Sequence, residues 1–249
     1  MLLLEDKIMK IANFLDKELY YDDAIIDRDS DWTPIVDILC GSKDVDNCPN
    51  GITKIVAINN SCSKVLKIPF HAAYEEEYDY EYEQYTGENE YFYFQNADSS
   101  HSIEEENAEW DYCADEVRKY KQAVKDGMEE FFPAIEFYKE GKCGVPYYIQ
   151  ERVMPFKIKD YKEENKKNSY KNATKISESY RNRGKYIRVN NYFIAACLEW
   201  YGEERTIDFL EYAYIKYPEI GRDLHDGNLG RRMNGAPVVL DFAGFREDF

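Results

Sequence analysis

Toward the end of this 249-residue sequence, Asp223, Asn228 and Asp241 fall within one short span. Asp223 and Asn228 are five residues apart in Asp-Leu-His-Asp-Gly-Asn, and Asp241 lies thirteen beyond Asn228, closing the apolar run Val238-Val239-Leu240. Carboxylate and amide oxygens are hard donors that suit a divalent cation such as Mg²⁺. Moving a γ-phosphoryl group from ATP asks for such a set: two metal ligands, a carboxylate to orient the attacking hydroxyl, and a lysine on the phosphates. Taken singly, each residue has a plainer reading, because an Asp in such a loop is commonly a turn former or cap and Asn-Leu-Gly can close a hairpin. Their joint order favours the chemistry. A strand returning beside the loop brings Asp241 back against Asn228.

The elements that must position these residues can be read from periodicity. Ile8, Ile11, Leu15 and Leu19 recur at helical spacing, which predicts an amphipathic helix over about the first 20 residues. Trp32 to Leu39 reads as a strand, and Gly41 to Gly51 as a polar loop with a turn at Pro49-Asn50-Gly51. Ile52 to Ile58 and Lys64 to Ile68 alternate like paired strands, with Lys67 and Lys64 as the two candidate lysines. Trp110, Cys113, Val117, Tyr120 and Val124 repeat at three and four before Gly127, so a helix is predicted from about Ile103 to Asp126. Ala134 to Tyr138 and Tyr147 to Val153 form a hairpin around Glu140-Gly141-Lys142. Lys157 to Arg188, rich in Lys, Asn and Ser, reads as exposed and partly mobile. Helices are expected over Tyr192 to Tyr201 and about Arg205 to Lys216, the second stopped by Pro218. A polar turn, Arg231 to Gly235, leads into the strand PVVLDF.

Composition bounds the possibilities. With 44% apolar and 16% aromatic residues the chain can bury one large core or two smaller ones. No stretch approaches the roughly 20 apolar residues of a membrane span, and Met1-Leu2-Leu3-Leu4 meets Glu5 and Asp6 at once, so a cytoplasmic protein is expected. The six cysteines contain no C-x-x-C pair, which argues against a zinc site or disulfide framework and for structural thiols. From Ile68 to Val117 there are 16 acids and no Lys or Arg, whereas the rest of the chain has 33 acids and 32 Lys and Arg, so this segment supplies nearly all of the net charge of −17. Its potential repels phosphates and argues against nucleic-acid binding. Within it, the acidic, tyrosine-rich residues 71 to 102 read as a solvated helix plus a mobile loop, or as a surface that docks on a basic partner.

The segment GRDLHDGNLGRRMNGAPVVLDFAGF resembles the catalytic loop and metal-binding strand of the protein-kinase-like superfamily. Arg222-Asp223-Leu224 stands where kinases have the R-D-L of H-R-D, with Gly221 in place of the His. Leu224-His225 and Gly227-Asn228 look like the D-L-H-x-G-N form of aminoglycoside phosphotransferases, and Asp241-Phe242-Ala243-Gly244 is similar to D-F-G with one residue inserted. The resemblance makes Asp223 the catalytic base and Asn228 and Asp241 the Mg²⁺ ligands. It makes Lys67 the phosphate-binding lysine, with Lys64 competing, and gives it a partner glutamate, Glu116 on the predicted helix, or Glu77 or Glu81 nearer in sequence. By position, the Glu151 carbonyl and Val153 amide would meet the adenine edge, and Gly51 would be the last glycine of a phosphate-covering loop. Only Gly41 and Gly51 punctuate that loop, so G-x-G-x-x-G is absent.

The fold implied is α+β: a minimal two-lobed protein-kinase-like fold with a truncated, mainly helical C-lobe and ATP in the cleft. Its divisions are an N-terminal helical segment at 1–30, an N-lobe at 31–153 carrying the acidic insertion, and a C-lobe at 154–249. The chain resembles short kinases encoded by tailed phages, which phosphorylate themselves and host proteins on Ser or Thr. That implies ATP and Mg²⁺ as cofactors, a protein substrate and a place in the host cytoplasm. Two rivals remain: a small-molecule phosphotransferase of the D-L-H-x-G-N type, and an acidic binding or inhibitor protein with a vestigial nucleotide site.

Overall fold

The computed structural model describes residues 2–19, 25–27, 34–49, 54–69, 71–72, 77–79, 84–86, 90–92, 111–142, 145–158 and 167–243. The protein is a mixed α+β molecule. Its chain divides into two compact units, one of residues 1–117 and 135–151, the other of 118–134 and 152–249.

In the first unit, helix α1 (Leu2–Glu18) lays Ile8, Ile11, Leu15 and, just past its end, Leu19 into the core. Each such side chain is worth about 1.5–3 kcal/mol when fully buried. The strand expected over Trp32 to Leu39 is instead helix α2 (Pro34–Cys40). Proline at the start has no N–H for a ladder and its fixed φ suits a first helical turn. Ile35 and Leu39, four apart, are both buried.

The central sheet joins β2 (Lys54–Ala57), β3 (Lys64–Pro69), β8 (Ile135–Glu140) and β9 (Pro146–Glu151) in the antiparallel order β2-β3-β9-β8. The register sets Val56 opposite Lys67 and Lys67 opposite Tyr148. Because side chains alternate, Ile55, Ala57, Leu66, Ile68 and Tyr147 share one face and join α1 and α2 in a single apolar cluster. Lys54, Lys67, Tyr148 and Gln150 take the other face. Asp16 ties α1 to the β8–β9 hairpin, accepting from Lys139 Nζ at 2.6 Å, Tyr147 Oη at 2.7 Å and the Lys142 N–H at 2.9 Å.

Four further short strands occur in the acidic segment, where a helix was expected: β4 (His71–Ala72), β5 (Glu77–Asp79), β6 (Gln84–Thr86) and β7 (Glu90–Phe92). β7 pairs with both β4 and β1 (Ile25–Asp27), and β5 pairs with β6, setting Tyr78 opposite Tyr85. β5 and β6 each carry a tyrosine, a residue type enriched in strands. The remainder of 71 to 102 lies outside the described residues.

Helix α3 (Tyr112–Lys125) begins in the first unit and ends in the second. Asp111 caps the described helix, with Oδ1 accepting from the Ala114 N–H at 2.9 Å. Residues 103–110 lie outside the described residues. Gly127, at φ +68°, terminates the helix.

The second unit is mainly helical. Within 157–188, expected to be exposed and partly mobile, residues 159–166 lie outside the described residues and the largely solvent-facing helix α4 (Lys167–Asn182) buries Ala173 and Tyr180, which lie seven residues apart on one stripe, and packs on α5 (Asn191–Tyr201). Its Lys, Asn and Ser residues are the solvent side of an amphipathic helix. Helix α6 (Glu203–Glu211) widens into a turn over Tyr212–Lys216 and ends, as expected, before Pro218, which also opens the short helix α7 (Pro218–Arg222). Strands β10 (Met154–Pro155), β11 (Leu229–Arg231) and β12 (Pro237–Val239) form a small antiparallel sheet. Phe131, Phe132, Phe193, Phe209 and Phe242 fill the core, with the Phe131 and Phe209 rings stacked 4.7 Å apart. Among the described residues, no helix is long and apolar enough to cross a membrane.

Candidate functional site

In the first unit, the alternation of β3 that sends Leu66 and Ile68 into the apolar core turns Lys67 to the opposite face. There its Nζ donates to Glu116 Oε2 at 2.6 Å. The two side chains are 4% and 0% exposed. Glu116 stands on α3, next to buried Cys113 and Val117. A carboxylate so deep in protein must be matched by cations, and losing a partner from a buried pair typically costs about 3–5 kcal/mol. The competing lysine, Lys64, points to the other side and meets Glu136 at 3.3 Å near solvent. Of the other glutamates, Glu77 sits in β5 and Glu81 lies outside the described residues.

Glu116 also holds a lysine that the periodicity did not single out. Lys54 on β2 donates its Nζ to Glu116 Oε1 at 3.0 Å and is as buried as Lys67. The register contains the signal, since Lys54 stands two positions from Val56, the residue opposite Lys67. A second brace holds the start of α3 to the same sheet face: Tyr148 Oη donates to Asp111 Oδ2 at 2.5 Å. Burial, then the Asp111 charge, pushes the Tyr148 hydroxyl far up, and burial raises the Asp111 carboxyl. Burial, reinforced by the Glu116 charge, likewise keeps the Cys113 thiol protonated, which leaves it inert as a nucleophile. Cys40, Cys48 and Cys197 are free thiols, Cys62 Sγ donates to Asn59 Oδ1 at 3.7 Å, and Cys143 lies outside the described residues.

In the second unit, α7 gives way at Asp223 to the loop that enters β11. Leu224 is fully buried and anchors that loop. The Asp223 carbonyl accepts from Asn228 Nδ2 at 2.8 Å, which leaves Asn228 Oδ1 as the atom able to meet a cation. β11 and β12 then pair with Leu229 opposite Val239, and the Leu240 N–H donates to the Asn228 carbonyl at 2.7 Å. Asp241 therefore follows directly on the residue bonded to Asn228. Buried Phe242, its ring 5.0 Å from that of Phe132, and the bond from Lys119 Nζ to the Ala243 carbonyl fix the chain beyond it. Asp223 and Asp241 are both partly exposed. His225 Nδ1 accepts from the Gly227 N–H at 3.1 Å, so the neutral ring carries its proton on Nε2, which lies 3.8 Å from Asp223 Oδ1.

An amide oxygen and a carboxylate on adjoining strand ends fit a Mg²⁺ ion, which is usually held by one or two carboxylates with phosphates and water filling its other positions. Among the described residues no three His, Cys, Asp or Glu side chains gather as a cluster able to hold a metal by themselves. Of the remaining predicted residues, Glu151 ends β9, Val153 lies two residues on in the connection to β10, beyond the strand expected to include it, and Gly51 falls outside the described residues. Set against protein-family models, curated proteins and solved structures, the chain matches none of them.

Proposed function

We propose that the protein is an ATP- and Mg²⁺-dependent phosphotransferase of protein-kinase-like, two-lobed architecture that phosphorylates Ser or Thr hydroxyls of proteins. The observation that carries the reading is the buried pair of Lys67 and Glu116 at 2.6 Å, which holds an ammonium group in one orientation on the sheet face away from the apolar core. Bound Mg·ATP would supply the transferable phosphoryl group. Lys67, steered by Glu116, would hold phosphate oxygens. Asn228 Oδ1 and the Asp241 carboxylate would ligate the cation, and Asp223 would orient the acceptor hydroxyl and take its proton. The Glu151 carbonyl and the Val153 amide would bind the adenine edge.

Incubating the purified protein with γ-labelled ATP, with and without host lysate, tests the reading. Labelled protein bands are expected, and Asp223→Ala should reduce them about 10²- to 10⁴-fold, the usual contribution of a general base. Undiminished labelling in that variant would remove Asp223 from the mechanism. Asp223-Leu224-His225 followed by Gly227-Asn228 favours the small-molecule alternative, which would show as label on a low-molecular-weight acceptor instead. An absence of any label would leave the binding-protein alternative.

A further inference from the structure

We infer that Lys54 is a second phosphate-binding cation acting beside Lys67, an inference that rests on the phosphotransferase reading above. Its Nζ meets Glu116 Oε1 at 3.0 Å while that of Lys67 meets Oε2 at 2.6 Å, so the two ammonium groups flank a single carboxylate. The strands fix this arrangement. Lys54 pairs with Pro69 and Val56 with Lys67, which puts both lysine stems on one face of adjacent strands, in diagonal positions about 7–8 Å apart. An ammonium group carries three donors, so a lysine oriented by a carboxylate can still give hydrogen bonds to a phosphate oxygen. A triphosphate offers oxygens to both ammonium groups. Lys54 also suits what the loop before β2 lacks. That loop has only Gly41 and Gly51 and no G-x-G-x-x-G, so a side-chain cation takes the place of backbone N–H groups that a glycine-rich turn would aim at the phosphates.

The alternative role for Lys54 is purely structural, as a counter-ion that keeps Glu116 in place. The two roles differ in whether Lys54 acts on the phosphates itself or only by holding Glu116, and through it Lys67, in place. Binding of Mg·ATP and of adenosine is measured calorimetrically for the parent, Lys54→Met, Lys67→Met and the double variant. If Lys54 contacts phosphate, Lys54→Met weakens Mg·ATP about ten-fold, the loss of one charged hydrogen bond, leaves adenosine unchanged, and adds to the effect of Lys67→Met. Equal losses for both ligands, no loss for either, or no further loss of Mg·ATP binding when Lys54→Met is added to Lys67→Met would overturn the inference and make Lys54 structural. Should Lys54→Met not fold, the parent answers the same question by acylation of lysines with an amine-reactive reagent, read peptide by peptide. Mg·ATP then slows modification of Lys54 several-fold and adenosine does not, and equal rates with both would refute the role. A parent that binds neither ligand overturns the phosphotransferase reading itself, a result distinct from any in which only the Lys54 variant behaves unexpectedly.

Discussion

Gly221 shows how tightly one position can be held. A Cβ placed there would lie 2.5 Å from the Ala213 carbonyl oxygen and 2.5 Å from the Tyr214 ring. The backbone of the widened turn after α6 thus runs directly against α7, just before Asp223. Gly221→Ala must push that backbone aside, and overpacking of this kind costs about 1–3 kcal/mol. Thermal melts should show the loss, and an unchanged melting temperature would mean that α7 can shift freely. The same crowding explains why a glycine stands immediately before Arg222-Asp223. At this scale the sequence was informative where chemistry and periodicity coincide. Lys67 was singled out because it follows alternating apolar positions in a segment resembling the third kinase strand, and Glu116 because that resemblance calls for a glutamate and it lies on the apolar-sided helix directly before the hairpin. Lys54 was not legible. A lysine in a strand ordinarily reads as solvent-facing, and the carboxylate that buries it comes 62 residues later.

Among the elements, the contact between α1 and the β8–β9 hairpin makes a prediction about pH. Burial works to raise the Asp16 carboxyl, but hydrogen bonds from Lys139, the Lys142 N–H and Tyr147 outweigh it and hold the group below its ordinary value. A carboxyl whose folded value is depressed adds stability that is present above its unfolded value, near ~4, and is lost as the pH falls through the folded one. Asp16→Asn should therefore cost about 1 kcal/mol at neutral pH, the difference between charged and neutral hydrogen bonds, and progressively less in acid. Denaturant titrations at pH 7 and pH 3 check this, and an equal cost at both would show that the charge is irrelevant. Elements were read correctly where periodicity was clean, as in α1, β3 and the hairpin. They were misread where composition masked it. α2 has the apolar content of a strand but spaces Ile35 and Leu39 like a helix, and α4 hides a narrow buried stripe among Lys, Asn and Ser.

Over the whole molecule, the charge imbalance is a local property. Residues 73–89 carry seven of the acids and lie between β4 and β7, which pair with each other. Replacing them with a short Gly/Ser linker keeps that pairing, and loop closure varies only slowly with length. Transfer from ATP should survive, while capture of any basic partner at low salt should fall, since such attraction is screened over about 8 Å at physiological ionic strength. Loss of transfer in the linker variant would instead assign the segment to the catalytic machinery.

The order β2-β3-β9-β8 also bears on how the chain is made. Residues of β3 pair with residues of β9 that lie about 80 positions further along, Lys67 with Tyr148. Chains emerge at about 5–20 residues per second, so one edge of β3 waits several seconds for its neighbour, and a bare strand edge is a template for pairing with other chains. The helices α5, α6 and α7 find their partners close by in sequence. Yield of soluble protein should therefore depend less on how the helical unit folds than on how long the nascent β2–β3 pair can be kept from its own kind.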